Sequence, residues 1–186
     1  RPRKNCSIAK CPKSRTWIQV GNDVDGEFKD DQPGESVAIS ANGTRIAIGA
    51  SSNNGGRTKA GHVRVYDFEA GDWIKVGNDI DGDARQDLSG GAVAMSADGT
   101  RIAVGAVGND GNGLDSGHVR VYNLQGDDWT QVGNEIDGEA ASDEFGGSVA
   151  MSADGLRIAI GAAHNAGNGR ILATSECLTH LKVFRW

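Results

Sequence analysis

No apolar run in this chain approaches the length needed to cross a bilayer, so nothing in it reads as a membrane-spanning helix. Cysteine is scarce: Cys6, Cys11 and Cys177 are too few for a disulfide framework or a cysteine-rich metal site. Aromatic residues make up 5% of the chain, so its interior has to be built from small aliphatic side chains. No G-x-S-x-G, no H-E-x-x-H and no Cys/His nucleophile pair occurs, which leaves the common hydrolase and metalloprotease signatures without a foothold. Helical periodicity is missing throughout. Residues 1–16 carry Arg1, Arg3, Lys4, Lys10, Lys13 and Arg15 with no acid, while the whole chain is at −6. The remainder is therefore distinctly acidic, which argues against nucleic acid as a partner, because phosphate binding needs clustered Lys and Arg. The basic leader reads as a solvated terminal tail. It has no apolar segment of signal-peptide type and no initiator Met, so a processed chain or a fragment is expected.

What is present is repetition. Trp17, Trp73 and Trp129 stand 56 residues apart and open W-I-Q-V-G-N-D-V-D-G-E, W-I-K-V-G-N-D-I-D-G-D and W-T-Q-V-G-N-E-I-D-G-E. Each unit continues with S-V-A-I-S-A-N-G-T-R-I-A-I-G-A (36–50) or its counterparts at 92–106 and 148–162, and G-H-V-R-V-Y closes the first two. A period of this length marks a solenoid, propeller or array. The division expected is a basic leader at 1–16, repeats at 17–72, 73–128 and 129–170, and an aberrant tail at 171–186.

Within a unit the signals are those of short strands. In the second, 91–96 and 101–106 are apolar runs joined by Ala97-Asp98-Gly99-Thr100, where Asp-Gly favours a tight hairpin with both central residues at positive φ. A polar loop then leads to a strand at 118–122, and a turn to a fourth at 129–133. Four antiparallel strands per repeat predict an all-β fold, a partial β-propeller of four-stranded blades. Val-Ala-Met and Ile-Ala-Val runs are apolar on both faces, as in sheets sandwiched between other sheets. The repeated Trp has two readings, stacking on a sugar or packing between blades, and packing is the one expected. His62 and His118, with no Cys or second His nearby in sequence, read as structural hydrogen-bonding residues.

Phe145-Gly146-Gly147-Ser148-Val149-Ala150 followed by Ile160-Gly161-Ala162 resembles the FG-GAP repeat of integrin α-subunit propellers. Ser89-Gly90 with Val104-Gly105-Ala106, and Pro33-Gly34 with Ile48-Gly49-Ala50, stand at the matching positions, so the resemblance covers residues 17 to about 170. It implies a propeller in an extracellular or cell-surface adhesion protein. Many such blades carry a D-x-D-x-D-G calcium loop between the first two strands, but the connections here hold one carboxylate at most, and calcium is not carried over. The remaining acidic candidate is Asp79, Asp81 and Asp83, echoed by Asp23, Asp25 and Glu27 and by Glu135, Asp137 and Glu139. It reads either as a Ca²⁺ site or as an ordinary solvated turn, the latter preferred, so no cofactor is expected.

The tail departs from the period. S-G-H-V-R-V-Y-N is due at 172–179, yet 171–179 reads I-L-A-T-S-E-C-L-T. One permitted choice of codons, shifted by two bases, restores S-G-H-V-R-V-F-N, so a frameshifted tail is expected, with Cys177 its by-product and Cys6–Cys11 a possible local disulfide. Asn5 and Asn42 lie in glycosylation sequons, which together with the paired cysteines favour a secreted glycoprotein.

Function is expected to be non-catalytic binding or adhesion, with protein or glycan met by the inter-strand loops. The candidate residues are Asn53, Asn54, Asn109, Asp110, Asn112, Asn165 and Asn168. The alternatives are a structural or assembly repeat and, in the third place, a propeller-type hydrolase or lyase. Three blades fall short of the roughly four to eight that close a ring, so further blades of a longer chain or self-association are expected.

Overall fold

The computed structural model describes residues 17–26, 31, 33–54, 58–164 and 180–185. Among them every regular element is a β-strand and every strand pairing is antiparallel. The first sheet runs β1 (Ser36–Ile39), β2 (Arg45–Ala50), β3 (His62–Glu69) and β4 (Asp72–Lys75), with β5 (Ile80–Asp81) pairing on β3 beyond β4. The second repeats the plan with β6 (Ser89–Met95), β7 (Arg101–Ala106), β8 (His118–Gln125), β9 (Asp128–Gln131) and β10 (Ile136–Asp137). The third holds β11 (Phe145–Met151), β12 (Arg157–Ala162) and β13 (His180–Arg185).

The sheets stack face to face in chain order: β6 crosses β1, β2 and β3, and β11 crosses β6, β7 and β8. Strand alternation divides the apolar residues between the two stacks. Val93, Ile102 and Val104 point back onto Ala47, Val63 and Val65 of the first sheet, while Ala103 and Val119 point forward onto Phe145, Ile158 and Ile160 of the third. The apolar-on-both-faces strands foreseen from sequence are therefore used on both faces. Glycine permits the closest approach. A Cβ on Gly49 would sit 2.0 Å from Gly90 O, and one on Gly105 2.1 Å from Gly146 O, so no side chain fits between the backbones.

Two expectations need correction. The hairpin between β6 and β7 does not place both Asp98 and Gly99 at positive φ; only Gly99 is there, at +73°. Its loop is four residues long, closed by Ser96 N donating to Arg101 O at 2.9 Å, and Asp98 Oδ1 instead accepts Thr100 N at 3.0 Å and Ser96 Oγ at 2.6 Å. An Asx-type loop asks for positive φ only at the glycine. The strand after each Trp is also interrupted: the outer edge of β3 and of β8 is shared by two short strands rather than covered by one.

The tail contributes a strand at His180–Arg185. β13 pairs with β12 from Ala162↔His180 to Arg157↔Arg185, the register in which β8 meets β7 from Ala106↔His118 to Arg101↔Asn123. Lys182 holds Glu139 at 2.5 Å, the counterpart of the Arg120–Asp83 pair one sheet earlier. His180-Leu181-Lys182-Val183-Phe184 thus takes the place of His118-Val119-Arg120-Val121-Tyr122, 62 residues on rather than 56. Alternating apolar residues are what the register demands, and H-L-K-V-F supplies them. The positions 172–179 where the period set this strand, Cys177 among them, lie outside the described residues, as do Cys6 and Cys11.

Candidate functional site

The residues that repeat most faithfully bind one sheet to the next. Trp73 Nε1 donates to Val20 O and Trp129 Nε1 to Val76 O, each at 3.2 Å. Asn22 caps Asp72 through its backbone N (3.1 Å) and Nδ2 (2.9 Å), and Asn78 caps Asp128 at 2.9 and 2.8 Å. These donors hold both carboxyls below the usual carboxylate range. At the hairpin tips Ala41 N donates to Ala97 O and Ala97 N to Ala153 O, and Arg45 and Arg101 reach Gly99 O and Gly155 O at 2.9 Å. The Asp67 carboxylate bonded to Arg45 raises the guanidinium pKa against its partial burial. Trp73 and Trp129 are accordingly packing residues; Trp17 is fully exposed.

The loop residues singled out from sequence are largely engaged within their own loops. Asn53 is buried, and its carbonyl accepts Gly61 N. Asn54 Oδ1 accepts Lys59 N, Asn109 Oδ1 accepts Gly111 N and Asp110 Oδ1 accepts Asp115 N, each at 2.9 Å. Asn112 Nδ2 donates to Gly138 O at 2.9 Å. Asn42 is exposed at its hairpin tip, its amide oxygen taking bonds from Ser40, Thr44 N and Thr44 Oγ1. Asn5, Asn165 and Asn168 fall outside the described residues.

Asp79, Asp81 and Asp83 do not converge. Asp83 turns to Arg120 of the next sheet, while Asp79 and Asp81 meet His62. Strand pairing explains the grouping: His62 lies opposite Asp81 across β3 and β5, and Asp79 stands two residues earlier, next to Arg64. The second sheet repeats the arrangement, with His118 opposite Asp137 and Glu135 beside Arg120. Each set brings its imidazole nitrogen and two carboxylate oxygens within 4.8 Å of one another. Sequence proximity hid both groups, because the acids arrive 17 to 19 residues after the histidine through a two-residue strand.

The two groups are not electrostatically equal. In the first, Asp79 Oδ2 is bonded by Arg64 (2.6 and 2.9 Å), while Oδ1 is ion-paired with Lys75 and, like His118 Nδ1, makes no hydrogen bond. Burial pushes this carboxyl up, but the two cations outweigh it and bring it down to about 2. Burial, and then the neighbouring Asp79 charge, raise Asp81. His62 Nδ1 lies 3.9 Å from Asp79 Oδ2. In the second, Arg120 spans Glu135 (2.7 and 3.1 Å) and Asp83, but position 131, the counterpart of Lys75, is Gln. His118 Nδ1 is 3.2 Å from Glu135 Oε2, off the axis of a hydrogen bond, and is a buried nitrogen left without a hydrogen-bond partner. Burial and the adjacent guanidinium depress both histidines, Arg64 acting on His62 and Arg120 on His118.

Sequence reading also passed over Asp87 and Asp143, buried carboxylates ahead of β6 and β11. They accept Ala84 N and Ala140 N at 2.9 Å and so fix the entry to each sheet. Their recurrence 56 residues apart was the available signal. No long apolar helix capable of crossing a membrane occurs among the described residues.

No family model and no curated protein matches this sequence. The chain is similar to a solved structure of Kuenenia stuttgartiensis hydrazine synthase at 17% identity and a TM-score of 0.46, over 78% of this chain and 32% of that one. It spans about a third of that chain's length, and at this level of likeness neither activity nor partner carries across.

Proposed function

We propose that this chain is a non-catalytic binding module of propeller-type repeats, similar to FG-GAP repeats, working at an extracellular surface on a protein or glycan ligand. The observation that supports it is a division of labour between positions. The residues identical from unit to unit make the bonds between sheets, as at Trp73 and Trp129 or Asn22 and Asn78. The loops after β2 and β7 differ freely in sequence, 51–60 against 107–116, and internal Asx bonds stiffen both. A stiff scaffold carrying variable, pre-organised loops is how repeat folds present binding surfaces. Screening the chain on glycan and protein arrays, beside a variant with the 107–116 loop replaced by a Gly/Ser linker, tests the reading. Binding that the replacement removes supports it; no binding by the intact chain counts against it.

A second reading, assembly, rests on the two outer faces of the stack. Val93 is 8% exposed where a preceding sheet covers it, but its counterpart Val37 is 67% exposed and Ile39 61%. At the other end Val183 is 66% exposed, whereas Val65 at the matching place is 1%. The front of the first sheet therefore matches the back of the third, and a second copy of this chain is the occupant both faces fit. Such a head-to-tail contact is heterologous and propagates unless the rotation closes. Sedimentation velocity is expected to show concentration-dependent association that Val37→Glu abolishes; a compact monomer at all concentrations refutes this reading.

A further inference from the structure

We propose that His118, Glu135 and Asp137 form a binding site for a divalent first-row transition ion, with Zn²⁺ as its representative, and that the matching group at His62 does not.

The site is built by register. Antiparallel pairing sets His118 directly opposite Asp137, and Glu135 follows on the same face of the sheet two residues before it. The imidazole nitrogen and the two carboxylate oxygens lie within 4.8 Å of one another, with His118 Nδ1 and Glu135 Oε2 at 3.2 Å. Ligand atoms about 2.0–2.2 Å from a tetrahedral ion stand roughly 3.3–3.5 Å apart, so the His118–Glu135 pair needs only a few tenths of an ångström of adjustment. Three protein ligands with one of them, Glu135, open to solvent leave a fourth position to water.

An independent observation is the state of the histidine. Its side chain is 3% exposed, and its Nδ1 faces the carboxylates without making a hydrogen bond. A buried nitrogen without a partner is costly, and a cation between Nδ1 and the two acids satisfies it. Arg120 does not displace that cation. Its Nε and Nη2 both donate to Glu135 Oε2, the oxygen 3.2 Å from His118 Nδ1, and Nη2 also meets Asp83, leaving three carboxylates to one guanidinium. A ligating carboxylate oriented by an outer hydrogen-bond donor is the usual arrangement around metals.

The first sheet serves as an internal control. There Lys75 places its ammonium on Asp79, so the chain carries its own cation. One unit later the same position is Gln131, exposed and neutral, its amide donating to Gly133 O at 3.3 Å. Everything else in the group is kept, apart from the longer Glu135 in place of Asp79, which brings its oxygen closer to the imidazole (3.2 against 3.9 Å). The unit with glutamine at this position has the arrangement that calls for an external cation. An imidazole and two acids suit Zn²⁺, Co²⁺ or Mn²⁺ better than Ca²⁺, which takes six to eight oxygens.

The test is calorimetric titration of Zn²⁺ into the full chain with Cys6, Cys11 and Cys177 changed to Ser, so that thiols do not compete. One saturable equivalent is expected, absent from a parallel Ca²⁺ titration and absent after His118→Gln. Gln131→Lys, at an exposed position that removes no ligand, is expected to weaken binding by about tenfold or more. Lys75→Gln is expected to add a second equivalent at His62. Co²⁺ bound in place of Zn²⁺ is expected to give a visible d–d band without thiolate charge transfer. Absence of a saturable equivalent overturns the proposal, as does an equivalent that Gln131→Lys leaves unchanged; the latter comparison stands even if His118→Gln fails to fold. The outcome is independent of whether the loops bind a protein or glycan.

Discussion

Replacing Gly105 by alanine would push a methyl group into the backbone of the next sheet. Gly105 lies inside β7, is buried, and its added Cβ would stand 2.1 Å from Gly146 O, 3.0 Å from Gly146 C and 3.3 Å from Gly146 Cα. The obstacle is main chain, which cannot rotate aside as a side chain would. Relief requires the second and third sheets to part by about 1 Å at the point where Phe145 and Ile160 are sealed between them. A radial gap of that size forfeits roughly a quarter to a half of each dispersion contact it opens. Overpacking of a dense interior typically costs about 1–3 kcal/mol, and the upper end applies here. Gly105 is not among the glycines at positive φ, so none of the loss comes from backbone conformation. Gly126 supplies the converse: φ is +63° and nothing lies within 4 Å of an added Cβ, so Gly126→Ala pays only the left-handed penalty of about 1 kcal/mol. For a chain of this size the two correspond to losses of about 6–12 °C and 2–4 °C in Tm. Thermal melts by circular dichroism read the difference, and equal losses for the two variants would refute the close-approach account.

Trp129→Phe removes the 3.2 Å bond to Val76 O and is expected to cost about 1–2 kcal/mol in urea unfolding, while the same change at fully exposed Trp17 costs less than about 0.5 kcal/mol. Equal effects would show that the repeated Trp is not a packing residue. Asp98 is held below the usual carboxylate range, first by Ser96 Oγ and then by Thr100 N; Asp154 by Ser152 Oγ and then Leu156 N. A depressed acid contributes stability above its unfolded pKa of about 3.9 and loses it as pH falls through the lower folded value. Tm is therefore expected to fall below about pH 4. Asp98→Asn and Asp154→Asn together should flatten that fall without moving Tm at pH 7, since Asn42 already makes the same loop bonds in the first unit. An unchanged acid slope in the double variant would exclude these hairpins as its source.

The strands and their order were legible from residue pattern because the period 2 of a sheet and the 56-residue repeat both lie along the chain. What crosses the chain was not. Nothing in A-V-A-M-S says that Val93 looks back to one sheet and Ala94 forward to the next, although apolar residues on both faces announce that neighbours exist. The His118 group escaped notice for the same reason: its members meet only when β10, two residues long, is laid against β8. Asp79, Asp81 and Asp83 look like one set because they alternate in sequence. Yet Asp83 serves the following sheet through Arg120. In the third unit the strand that pairs with β12 lies at His180–Arg185, while positions 172–179, where the 56-residue period sets it, fall outside the described residues.

Repetition offers its own means of separating scaffold from site. A residue that recurs in every unit and bonds to the neighbouring unit is explained by stacking: removing Trp129 and removing Trp73 should do similar things in different places. A residue that breaks the pattern while its surroundings are kept has no such explanation. Lys75 is the clearest case: its counterparts Gln19 and Gln131 are both glutamine, and the groups at His62 and His118 are otherwise alike. Lys75 puts a cation on the group at His62, while the group at His118 holds two acids and a buried imidazole nitrogen without that charge. An external ion at His118 would supply the charge that Lys75 supplies at His62. That is why exchanging the two residues, Lys75→Gln and Gln131→Lys, is more discriminating than deleting a ligand. The exchange predicts that one Zn²⁺ equivalent moves from the second sheet to the first while the total stays at one. A purely structural cluster would bind none before or after.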